Sequence, residues 1–208
     1  MPRVSAEHLE RRRQQILDAA RACFVRKGVH DTSMQDIFAE SGLSAGAVYR
    51  YFKSKSEIVE AIMSMVLTDM RGFITDLTSA DPPLPLDEVI ERVTRMVVLL
   101  SGEDGPVHMA PHAWSLAMHD PALRSYIKEN MTTLRESWIG YVERLVAAGM
   151  LPAGTDPVAT SKVIFAMMPG FLIQRLFLGD VTPEEFRVGV RTLVRQSLTA
   201  SADVASAP

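Results

Sequence analysis

Cysteine occurs once, at Cys23, so no internal disulfide can form and no oxidised framework holds this chain together. That scarcity points to a reducing compartment, and the expected location is cytoplasmic. The opening residues Met1–Glu10 lack the apolar stretch of an export signal, and no later run is expected to reach the length of a membrane span, so no membrane partner is implied. Also missing is the period-two alternation between turn signals that would mark a strand. No nucleophile–base pairing and no phosphate-cradling glycine loop stands out, so neither an enzyme nor a cofactor is expected.

What is present is helical periodicity from end to end, and an uneven charge. Through Ser56 the chain holds ten Lys and Arg against six Asp and Glu, a net +4, while the remainder holds twelve against nineteen, a net -7. A basic opening quarter on an acidic body fits a polyanion partner for the first part, although a split of this size also occurs by ordinary scatter. The expected fold is all-α: an N-terminal three-helix helix-turn-helix DNA-binding domain over residues 1–56, a C-terminal helical ligand-binding and dimerisation domain over 57–200, and a flexible tail over 201–208.

The punctuation is legible. A first helix over about Ser5 to Lys27 carries Ile16, Ala19, Ala20, Cys23 and Phe24 at helical spacing, and Gly28 is expected to stop it in the left-handed conformation. Thr32-Ser33-Met34-Gln35 reads as a capping box with the Thr32 hydroxyl as cap, Gly42 as a stop, Ser44 as a second cap and Ser54-x-x-Glu57 as a third. A long helix then repeats Val59, Met63, Val66, Met70, Phe73 and Leu77 along one seam. Asp81-Pro82-Pro83 ends it, and helices follow over Val89 to Leu100, Val107 to His119 (broken near Pro111), Pro121 to Gly149, Asp156 to Leu178 and Thr182 to about Ala200. Pro169-Gly170 is expected to kink or loosen the helix that contains it.

Thr32 to Lys55 carries the chemistry. Two short helices joined by Ser41-Gly42-Leu43 have the spacing of a DNA-reading helix-turn-helix. If Val48 and Phe52 turn inward against Ile37, then Ala45, Gly46 and Tyr49 share the outer face with Arg50 beside them. Small side chains there admit close approach to base edges, and Tyr49, Tyr51 and Lys55 can reach phosphates or stack. Arg11 to Arg13 fit either a solvated face or phosphate contacts.

Leu43-Ser44-Ala45-Gly46-Ala47-Val48-Tyr49-Arg50-Tyr51-Phe52-Lys53-Ser54-Lys55 resembles the recognition-helix signature of the TetR family of transcriptional regulators. The resemblance extends to Arg12 through Ala20, to Phe24-x-x-x-Gly28 and to Thr32 through Ala39, covering about residues 10–60. It implies a homodimer binding double-stranded operator DNA. It also implies that Ser33, Met34 and Gln35 approach the backbone or groove, that Ser44, Ala45, Gly46 and Tyr49 enter the major groove with Tyr51 nearby, and that Lys55 pairs with a phosphate. Family members often carry a polar residue at the places of Ala45 and Ala47. With alanine at both, readout is expected to lean on thymine methyl groups, Arg50 and DNA shape.

Beyond the motif, each helix keeps an apolar, aromatic or methionine-rich side. Met70, Phe73, His108, His112, Trp114, Met118, Trp138, Tyr141, Met167, Phe171 and Gln174 are candidates to line a site for a small, mainly apolar effector, with plain core packing the competing explanation. His108 and His112 stand four apart near His119, Glu103, Asp104 and Asp120, but Pro111 interrupts the helix that two imidazole ligands would need, and no metal is expected. The last two helices carry more apolar surface than one face requires, which favours a homodimeric four-helix interface. The residues therefore point to a ligand-released repressor of a palindromic operator. A constitutive DNA-binding protein whose second part only dimerises stays open, as does, more remotely, a small helical enzyme or metal protein built on the histidines.

Overall fold

The computed structural model describes residues 6–102 and 105–205. Ser5, Glu103 and Asp104, which figured in the expectations above, lie outside the described residues. Among the described residues there are nine α-helices and no strand, as the periodicity requires. They are α1 Ala6–Asp31, α2 Met34–Ser41, α3 Ala45–Tyr49, α4 Lys55–Ser79, α5 Leu86–Leu99, α6 Ala110–His119, α7 Pro121–Ala147, α8 Pro157–Phe177 and α9 Pro183–Ala205; a 3₁₀ turn, Pro106–Met109, precedes α6.

Several boundaries differ from the sequence expectation for local reasons. Gly28 interrupts α1 at φ 79°, ψ 156°, a region open essentially to glycine but distinct from the left-handed cap that was expected. Ser33, not Thr32, caps α2: its hydroxyl accepts from the Asp36 amide at 3.2 Å and the Asp36 carboxylate accepts from the Ser33 amide at 2.8 Å. Thr32 is buried instead, donating to the Gly28 carbonyl at 2.7 Å. The box is thus shifted by one residue, with an aspartate in the place expected for Gln35. Gly42 closes α2 in the left-handed conformation at φ 65°, as expected. At the start of α4 the Ser54 hydroxyl accepts from the Glu57 amide, while Glu57 reaches back to the Lys53 amide at 2.6 Å. α8 continues through Pro169 to Phe177, and α9 runs to Ala205, beyond the point where a flexible tail was expected to begin.

The chain divides into two compact units, one running up to Thr68 and including Leu100–Tyr126, the other comprising Asp69–Leu99 and the chain from Ile127 onward. In the first, Ile16, Phe24, Ile37, Val48, Phe52 and Ile58 form a buried cluster with Met109 and Ala113. Tyr126 joins this unit through a 2.7 Å hydrogen bond to Ser64. In the second, Ile74, Val89, Trp138, Tyr141, Ile164, Met168 and Val190 pack together.

α8 is the one helix among the described residues long and apolar enough to cross a membrane, whereas no run was expected to reach that length. Lys162 and Arg175 are its only charged residues. In this fold Ile164, Met168, Phe171 and Leu172 of α8 are buried, while Val158, Val163, Ile173 and Phe177 are exposed.

Candidate nucleic-acid interface

α1 frames the site by clamping α2. Gln15 donates to the Ser41 carbonyl at 2.8 Å, Arg26 pairs with Glu40 at 2.6 Å, and Lys27 pairs with Asp36 at 2.5 Å. The Lys27 hydrogen bond, followed by those from Ser33, holds the Asp36 carboxyl far below the usual carboxylate range. Cys23 lies fully buried behind it, and burial pushes its thiol up, as suits a core residue.

α2 and α3 meet through Ile37 and Val48, both fully buried, with Phe52 buried just past the end of α3. The guanidinium of Arg13 sits 5.5 Å from the Phe52 ring centre. With Val48 anchored inward, Ser44, Ala45, Gly46, Tyr49 and Arg50 are exposed, as the helical phase demands. Ser44 caps α3, accepting from the Ala47 amide at 3.3 Å. A methyl group built on Gly46 would meet nothing within 4 Å, so the face here is open. Tyr49 is braced rather than loose: its ring meets Phe38 edge-on at 5.4 Å.

Other sequence-derived residues are placed less uniformly. Ser33 and Gln35 are exposed at the start of α2, whereas Met34 and Tyr51 are half-buried and pack against the first unit's core. Lys55 faces the end of α1, donating from Nζ to the carbonyls of Val29, His30 and Thr32 at 2.7, 3.0 and 2.8 Å. Two features were not read from the sequence. Lys53 is exposed beside Tyr49, donating to its carbonyl at 2.6 Å. His8, Leu9 and Arg12 of α1 converge with Leu43, Arg50 and Tyr51 around a cavity of about 190 Å³. Tertiary packing makes that convergence between residues some forty positions apart, and no local pattern announces it.

The effector candidates fall into two groups. Trp138, Tyr141 and Phe171 are buried in the second unit, where Met70, Phe73 and Met167 are half-buried against the same core as Trp138 and Tyr141; Gln174, also half-buried there, donates to the Gly170 carbonyl at 3.3 Å. His108, His112 and Met118 are exposed in the first unit and Trp114 is half-buried. His108 lies 3.1 Å from the Ser101 carbonyl and His119 3.1 Å from that of Ser115. Among the described residues no His, Cys, Asp and Glu group has a metal-holding arrangement. A separate cavity of about 250 Å³ in the second unit, beside Leu86, Leu145, Met150 and Val194, is lined by none of the effector candidates.

Comparison with known proteins adds two family matches. Residues 16–62 match the family described as bacterial regulatory proteins, tetR family, and residues 110–199 match the BetI-type transcriptional repressor, C-terminal family. The transcriptional regulator SrpR of Pseudomonas putida is 26% identical, over 91% of this chain and 87% of its own. Among solved structures, the complex of SmeT with triclosan, from Stenotrophomonas maltophilia, has a TM-score of 0.67 at 23% identity, covering 91% of each chain. A transcriptional regulator from Saccharomonospora viridis in complex with choline has a TM-score of 0.72 at 17% identity, covering 89% of this chain and 96% of its own. At these identities the structural likenesses establish a shared fold.

Proposed function

Because the chain belongs to the TetR family of transcriptional regulators, and is thus a DNA-binding regulator, we propose that it is a non-catalytic, cytoplasmic repressor that binds a palindromic operator as a homodimer and is released by a small, mainly apolar effector. The observation that carries this reading is the outer face of α3, where Ala45, Gly46 and Tyr49 are exposed while Val48 anchors the same helix in the core. Ser33, Met34 and Gln35 at the start of α2 and Ser44, Arg50 and Tyr51 around α3 complete the proposed DNA-facing set. Functionally, residues 1–56 contact DNA and residues 57–200 dimerise and take the effector.

Dimerisation through α8 and α9 is supported by their exposed apolar side chains. Val163 and Phe177 on α8, Leu178 at its end, and Val188 and Leu193 on α9 are 52–75% exposed, more apolar surface than two solvated helices ordinarily show. The effector site is assigned to the second unit, around Met70, Phe73, Trp138, Tyr141, Met167, Phe171 and Gln174. Methionine and aromatic walls suit an apolar guest. The ligands of the two neighbours, triclosan and choline, are of the small size this assignment needs.

Selection from a fragmented pool of the source genome, followed by titration of the best site at several salt concentrations, tests the proposal. A short inverted repeat bound by dimers, with affinity falling steeply in salt and at least tenfold on Tyr49→Ala, is the expected result. Recovery of no preferred sequence from protein freed of bound small molecules overturns it.

A further inference from the structure

Lys55 occupies a position that simple electrostatics disfavours. It is the first residue of α4, and a helix N-terminus repels positive charge. Its surroundings supply the compensation. The carbonyls of Val29, His30 and Thr32, beyond the Gly28 break, accept from its Nζ at 2.7, 3.0 and 2.8 Å. Carbonyls at a helix end lack intrahelical donors and carry partial negative charge. An ammonium has three donors and no acceptor capacity, so three carbonyls engage all of them. The side chain is also half-buried. The residues it grips lie where the Thr32 hydroxyl turns back to Gly28 and the Ser33–Asp36 box starts α2.

We propose that Lys55 is a positioning residue: it ties the α1–α2 junction to the first turn of α4 and so sets the orientation of α2 and α3, instead of contacting a phosphate as the family resemblance implies. This rests on the reading of the chain as an operator-binding protein. To reach DNA, the ammonium would have to abandon three acceptors in a partly desolvated place for one phosphate in water. Arg50 and Lys53, both exposed beside the reading face, need give up no such cradle.

Two variants of the full chain test this. Lys55→Met keeps the apolar stem and removes every donor; Lys55→Arg keeps the charge but presents a planar fork that does not fit three converging carbonyls. Operator affinity is measured across a salt series well below the melting temperature, alongside thermal unfolding and amide hydrogen exchange over residues 29–34. The expected result is that both variants remain folded with faster exchange over residues 29–34. Their affinity falls about tenfold or more at every salt concentration, with the slope of log K against log salt unchanged. The proposal is overturned if the slope of Lys55→Met becomes shallower by about 1.8, the signature of one lost phosphate contact in each protomer of the bound dimer. It is equally overturned if Lys55→Arg restores wild-type affinity, or if exchange and melting change while affinity does not. Should Lys55→Met fail to fold, Lys55→Arg decides by the same readouts. If the wild-type protein binds no operator, the functional reading fails by itself, and wild-type exchange over residues 29–34 in Lys55→Arg would then refute the tie separately.

Discussion

Arg191 of α9 meets Asp87 of α5 through Nε at 2.9 Å and Nη2 at 2.8 Å, both on a single carboxylate oxygen. Arg187, one turn earlier, reaches the same oxygen at 3.1 Å and spans to Glu91 at 2.6 Å, so two guanidinium groups are laced onto two carboxylates across these helices. Burial pushes the Asp87 carboxyl up, but the hydrogen bonds from Arg191 and Arg187 outweigh it and leave it below its ordinary value. The hydrogen bond from Arg95, followed by that from Arg187, likewise holds Glu91 low.

Depressed carboxyl values fix the sign of the pH dependence. The contribution of the α5–α9 lacing is complete above the ordinary carboxylate range, about pH 4, and is lost as pH falls through the lower folded-state values. Asp87→Asn is expected to lower Tm by about 2–4 °C at pH 7 and to flatten the fall of Tm below about pH 4. An unchanged acid limb in thermal melts of the variant would show that this cluster does not govern acid stability.

Trp138 is fully buried and its indole N–H has no partner among the described residues, while its neighbour Tyr141 donates to the Leu84 carbonyl at 2.6 Å. Trp138→Ala is expected to cost about 3–5 kcal/mol through the cavity it leaves. Trp138→Phe should cost much less, since the N–H it removes makes no hydrogen bond. Denaturant titration separates the two, and equal losses would refute this account of the site.

Gly46 sits in the exposed face of α3 with open space where a methyl group would go. Gly46→Ala should therefore stabilise the protein slightly, by about 0.5–1 kcal/mol, because glycine is a poor helix residue. If that face approaches DNA closely, the same change weakens operator binding, and the two effects have opposite signs. Loss of both stability and binding would mean the glycine serves the fold instead.

Phe177 is 75% exposed near the end of α8. If α8 and α9 pair with a second copy, Phe177→Glu buries a charge in that interface and should shift the protein toward monomer in sedimentation velocity, weakening operator binding in parallel. A variant that remains as dimeric as the wild type would place the interface elsewhere.

Much of this was legible in the residues themselves. Gly42, Ser44 and the Ser54-x-x-Glu57 pattern act within a few positions of where they stand, and the inward turn of Val48 and Phe52 follows from helical phase with Ile37 as partner. The shift from Thr32 to Ser33 as cap was not legible. Both carry a hydroxyl, and the choice depended on Thr32 finding the carbonyl of Gly28, where α1 is broken.

By itself, the sequence determined the all-helical class, several of the places where helices begin and end, and which face of α3 looks outward, because these depend on period, capping and phase over one or two turns. Only the tertiary structure decided the rest. It turned Lys55 onto α1, set Arg12 and Arg50 around one cavity, returned Leu100–Tyr126 to the first unit and laced α9 to α5. Each of these joins groups far apart in the chain. A charged side chain goes where the whole fold leaves acceptors unpaired, and local pattern carries no record of where those acceptors will be.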